Sequence, residues 1–143
     1  MITAGLLLAL VIGSFAQKAP VFNKNGVAIG GYDVVAFFTD NMPVSGSPSF
    51  TYQWQDVNWY FANQQHLDSF KLSPEKYAPQ YGGYCAYGTS EGHKAPTEIE
   101  TWTMVDGKLF FNYNKAVQKL WLKDQQGLIK KADEQWPLIK DKE

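Results

Sequence analysis

The spacing of hydrophobic positions changes several times along this chain, and each change predicts an element. Phe50, Tyr52 and Trp54 alternate with polar residues, the period of a strand with one buried face. Gln55-Asp56-Val57-Asn58 reads as the turn that follows, and Trp59-Tyr60-Phe61 as the returning strand of a ring-rich hairpin. Leu67 and Phe70 then stand three apart behind Asn63, which marks a helix with one buried stripe and an amide cap. Ser73-Pro74-Glu75 looks like a second helix start, with proline at the first helical position. Trp102 to Val105, Asp106-Gly107 and Lys108 to Phe111 form the clearest hairpin, because Asp-Gly suits a two-residue turn. Asn114 caps a helix with Val117, Leu120 and Trp121 on one face, and Asp124 opens a last helix carrying Leu128, Ile129, Ala132 and Trp136. Near the start, Gly30-Gly31 precedes the apolar run Val34 to Phe38, where Asp33 is placed to cap a helical turn. Hairpins and separate helices, without alternating βαβ units, predict an α+β fold: a small antiparallel sheet of hairpins with short helices packed on it. No internal repeat or low-complexity tract is evident.

The N-terminus follows a different pattern. Leu6 to Ile12 is an apolar run, and Ser14 and Ala16 are small residues at the positions a signal peptidase reads. Residues 1–16 are expected to be a signal peptide cut after Ala16, leaving residues 17–143 as a single domain. The run is too short to span a bilayer, which takes about 20 apolar residues. The expected location is therefore periplasmic or secreted, with no stable membrane insertion after cleavage. The usual positive charge ahead of the run is missing, since the first charged side chain is Lys18.

Composition narrows the function classes. A hydrophobic share of 45% against 19% charged residues supports a packed core rather than disorder. The net charge is −1, and every one of the 13 basic residues is lysine. Without arginine's planar fork or a basic field, nucleic acid is not an expected partner. Rings make up 15% of the chain. They predict a core built from large side chains, with a ring-lined groove for a sugar or another flat ligand as the sharper alternative.

Candidate chemistry centres on Tyr81-Gly82-Gly83-Tyr84-Cys85-Ala86-Tyr87-Gly88, a backbone that must turn sharply among rings. Cys85 is the only cysteine, so it is a candidate thiolate ligand, a nucleophile or a buried plug. The only histidines, His66 and His93, are candidates to complete a Cys–His metal site or to serve Cys85 as a base. Asp33 could bind a metal or orient a histidine as well as cap a helix. Tyr32 and Tyr84, beside the paired glycines, complete the candidate binding set. Met104 alternates with Trp102 and reads as core, Met42 lies in a loop, and Glu98 with Glu100 reads as solvated surface. Phosphate loops, nucleophile-elbow serines and paired-cysteine motifs are absent from the sequence.

Four stretches together resemble the exported YHS-domain proteins: Gly31 to Phe38, Ser73 to Ala86, Val105 to Asn114, and the Trp-bearing C-terminal helices. The resemblance implies a small fold related to treble-clef metal modules, and a soft transition metal, copper or zinc, as the bound group. In the short modules of that family the helix after the hairpin carries two cysteines. Here Ala62 and His66 stand at those positions, and a further cysteine expected near Val35 or Ala36 is also missing. What remains is a soft-metal module using Cys85 with His66 or His93. A thiol-dependent redox enzyme and an aromatic-faced structural or ligand-binding domain stand as the alternatives.

Overall fold

Two left-handed glycine turns organise the chain. The computed structural model describes residues 19–142, so the expected leader lies outside the described residues. Strands β1 (Asn23–Lys24) and β2 (Val27–Ala28) form a short hairpin. The chain then passes through Ile29, Gly30 and Gly31 at φ of 51°, 60° and 78°, an arrangement glycine accepts readily and isoleucine does not. Helix α1 (Val34–Thr39) follows, then hairpin β3 (Ser47–Trp54) and β4 (Val57–Phe61), then helices α2 (Gln64–Leu72) and α3 (Pro74–Tyr77). After a second left-handed turn come α4 (Ala86–Ser90), hairpin β5 (Thr103–Val105) and β6 (Lys108–Phe110), α5 (Lys115–Lys123) and α6 (Gln125–Ile139).

The fold is α+β, with a four-stranded sheet ordered β1-β2-β4-β3 and a separate β5-β6 pair. The hairpins are antiparallel as expected. The contact between β2 and β4 is parallel, through Val27 and Asn58. It makes the larger sheet mixed because the chain passes through a turn, α1 and all of β3 before the hairpin reversal lays β4 beside β2 in the same direction.

Strand β6 and the residue that follows it, Phe111, join two cores. Leu109 and Phe111 pack into one with Val34, Val35, Phe37, Trp59, Phe61 and Phe70. Phe110, on the opposite face, packs into the other with Tyr81, Ala86, Trp121 and Ala132. Alternation by two thus sends neighbouring residues to different cores. In the first core Phe70 is ringed by Trp59, Phe61, Trp54 and Tyr52, with centroids 5.0, 5.1, 5.7 and 6.2 Å away. Such a ring contributes roughly 1.5–3 kcal/mol through burial, with about 0.5–1.5 kcal/mol more per well-placed aromatic pair. Most of the aromatic share is spent this way. Among the described residues, Tyr113 is the one ring among the large exposed hydrophobics.

The structure contains a repeat that the sequence does not announce. The second turn places Tyr81, Gly82 and Gly83 at φ of 57°, 62° and 85°, matching Ile29, Gly30 and Gly31. An extended tyrosine follows each turn, Tyr32 in one and Tyr84 in the other. Next comes a residue whose side chain caps a short helix: Asp33 for α1 and Cys85 for α4. Each helix leads to a hairpin whose two turn residues have positive φ, Gln55 with Asp56 and Asp106 with Gly107. Asn63 and Asn114 then cap α2 and α5, each 9 residues long. Only Gly-Gly-Tyr and the capping asparagine are shared in sequence, which is why alternation and spacing alone do not reveal the match.

Candidate functional site

Asp33 is fully buried and holds four donors. Its Oδ1 accepts the backbone N–H of Val35 (2.9 Å) and Ala36 (3.2 Å), and its Oδ2 accepts the N–H of Ala62 (2.9 Å). The fourth is His66, whose Nδ1 lies 2.6 Å from Asp33 Oδ2. The other ring nitrogen, Nε2, is 3.3 Å from Thr39 Oγ1. Both nitrogens of His66 are therefore engaged, and the pair joins α1 to α2. A buried carboxylate needs this many partners to offset its desolvation. The order Asp–His–Thr is that of a hydrolase triad, but the surroundings oppose that chemistry. Thr39 is the last residue of α1, where the helix presents its negative end, and its hydroxyl donates to Asp40 Oδ1 at 2.8 Å. A developing oxyanion there would meet negative potential rather than donors.

Cys85 occupies the matching position in the second half. It is 1% exposed, and its Sγ accepts the backbone N–H of Tyr113 at 3.2 Å and of Gly88 at 3.4 Å. The thiol donates to Asn112 Oδ1, 3.6 Å away, and that oxygen also accepts the N–H of Tyr87 at 3.2 Å. Asn112 is fully buried, and its Nδ2 has no hydrogen-bond partner. Burial pushes the thiol above its ordinary range, and the nearby Glu91 charge adds to this. The backbone N–H groups of Gly88, Tyr113 and Tyr87 pull the other way and only partly offset the shift. At neutral pH the group is a thiol that gives up its proton only to a partner that replaces it.

A pocket of about 260 Å³ opens beside the sulfur, lined by Cys85, Tyr87, His93, Ala95, Tyr113 and Val117. His93 reaches it from an exposed loop, its backbone N–H bonded to Gly88 O at 3.1 Å. A β-carbon on Gly88 would stand 3.2 Å from His93 Nε2, so the glycine leaves the imidazole its place. Of the two histidines, then, His93 shares a pocket with Cys85. His66 is not among the residues of that pocket, because it is committed to Asp33.

The other expected residues act elsewhere. Tyr32 lines a separate pocket of about 270 Å³ with Phe22, Ile29, Thr97, Ile99 and Phe111. Tyr84 is buried, donates its phenol to Ala19 O at 2.6 Å and packs on Phe22 and Trp136. Burial pushes its pKa up to about 12. It is a pillar of the core rather than a ligand contact. The nearest approach to a ring-lined groove is a cleft of about 310 Å³ with Trp54, Trp59, Tyr81, Asp133, Trp136 and Lys140 in its walls. There Tyr81 donates to Asp133 Oδ1 at 2.9 Å.

Sequence reasoning passed over Asn112, Tyr113 and Val117 as site residues. The repeat supplies the signal that would have found them. Ala62 N–H and Tyr113 N–H meet the capping side chain in their respective halves, and His66 and Val117 each stand three residues after a capping asparagine. No known protein-family model, curated protein or solved structure matches the chain.

Proposed function

We propose that the protein is an exported YHS-like binding module whose Cys85–His93 pocket takes a soft monovalent metal ion of the copper(I) type. The observation that carries this reading is that a thiol and an imidazole line one pocket, with two backbone N–H groups directed at the sulfur. Such N–H groups stay in place when the thiol loses its proton and moderate the charge on the resulting thiolate. Soft thiolate ligands select copper(I), and imidazole also suits copper. Cys85 Sγ and a ring nitrogen of His93 would hold the ion, and its binding would displace the thiol proton to solvent. Among the described residues, no three His, Cys, Asp or Glu side chains group to hold a metal ion. That disfavours structural zinc, which takes four ligands, and leaves a two-ligand site.

Titration of residues 17–143 with copper(I) under reducing conditions tests the reading. One ion per chain is expected, lost in Cys85→Ser and weakened in His93→Ala. Equal binding by wild type and Cys85→Ser sinks it. Absence of binding together with fast alkylation of Cys85 would move the function to thiol chemistry.

A further inference from the structure

The two halves place the same backbone frame around different side chains, and the difference defines the Cys85 pocket. In the first half the capping residue Asp33 meets the imidazole of His66, three residues after Asn63. In the second half the residue three after Asn114 is Val117, whose N–H bonds Asn114 Oδ1 at 2.9 Å. Val117 and Cys85 both line the pocket of about 260 Å³. Where one half has a ring on its cap, the other has a short aliphatic side chain and space.

We infer that this space is the position of a missing imidazole and binds a small planar nitrogen heterocycle, whose ring nitrogen accepts a hydrogen bond from the Cys85 thiol. The walls suit a flat ring: Tyr87, Tyr113 and the His93 imidazole contribute ring surfaces, and Ala95 and Val117 are small. The polar groups suit it as well. The Cys85 thiol donates to Asn112 Oδ1 at 3.6 Å, and the same sulfur lines the pocket, so its S–H can turn to an acceptor placed there. A ligand ring nitrogen gives the thiol an acceptor inside its own pocket. The inference requires the pocket and not the metal, so it stands or falls separately from the copper reading.

Imidazole is the simplest probe. In the metal-free protein, imidazole should produce saturable ¹⁵N shifts at the Gly88 and Tyr113 amides, the two that bond Sγ. Val117→Phe fills the space and should weaken binding by about tenfold or more, roughly 1.4 kcal/mol, while amide shifts elsewhere keep their wild-type dispersion. Val117→Ala enlarges the space and should retain binding, which guards against a variant that simply fails to fold. Val117→His should move the same two amides with no ligand added, by placing a ring as His66 does. A blocked histidine, N-acetyl-histidine methylamide, separates the sources of such a ring: uptake of both probes fits a histidine offered by a partner protein, and uptake of imidazole alone fits a free small heterocycle. Non-saturable shifts in the wild type, or equal binding by Val117→Phe, overturn the inference.

Discussion

The first half of the molecule uses its capping residue as an anchor, and the second half leaves the equivalent residue beside an opening. Asp33 and Cys85 follow the same left-handed turn, cap the same kind of short helix and receive an N–H from the residue before a capping asparagine. Asp33 is saturated: four donors surround it, and one of them is an imidazole. Cys85 receives two N–H bonds at longer range and keeps a weak contact to Asn112. A carboxylate in a buried cap must be fully paired, because an unpaired buried charge is very costly. A thiol tolerates incomplete pairing, because it is neutral and a poor acceptor. The same frame can therefore hold a closed, fully paired site with oxygen and an incompletely paired one beside a pocket with sulfur.

Breaking the closed site should have the largest effect. Asp33→Ala leaves His66 and the backbone N–H groups of Val35 and Ala62 without their acceptor, while Ala36 N–H keeps Asp33 O. It should lower the unfolding free energy by about 3–5 kcal/mol, the cost of removing one partner of a buried pair, measured by urea denaturation. A loss below about 1 kcal/mol would mean that water reaches the site and that the anchor is weaker than its geometry. The comparison is sharpened by building the first half's pair into the second. C85D alone should be strongly destabilising, and V117H alone close to neutral. The double variant should recover part of the loss, with a coupling energy of about 0.5–3 kcal/mol from the four-member cycle. Strict additivity would show that the two frames are alike in outline but not in register.

The smallest expected effect is a pH dependence. The Cys85 thiol is raised in the folded state, so folding favours the protonated form. Its contribution is complete below the pKa of the unfolded thiol and is lost as pH rises from there toward the folded value, since the unfolded chain releases its proton first. Stability of the wild type minus that of Cys85→Ser should fall across that window. Taking the difference removes the contributions of Tyr81 and Tyr84, which are also raised. A difference that stays flat would place the folded thiol in its ordinary range.

Local chemistry made much of this fold legible in advance. The caps at Asp33, Asn63 and Asn114 depend on a side chain reaching two or three residues along its own backbone, and the sequence states those residues directly. The Asp-Gly hairpin is legible for the same reason. The pairing of His66 with Asp33 is not, because it joins residues 33 positions apart through a contact set by how α1 and α2 pack. Helix α4 also escaped notice. Ala86-Tyr87-Gly88-Thr89-Ser90 has poor helix formers and reads as loop, and it is helical because Cys85 caps it and α6 packs on it. Cys85 was identifiable as the residue to watch, but its surroundings come from Asn112, Tyr113 and Val117, on the other side of a hairpin.

Lys94 has a consequence for how the end of α6 is held. It is a lysine only 2% exposed, and its Nζ donates to Lys140 O at 2.6 Å and to Lys142 O at 2.7 Å. The same ammonium stands 5.5 Å from the ring centre of Tyr84 and 5.8 Å from that of Trp136. A positive charge is thus fixed at the carbonyl end of α6, where the helix favours it. The last turn of α6 can unwind only by stripping a buried ammonium of its acceptors, so the loop that carries His93 also clamps that helix against fraying.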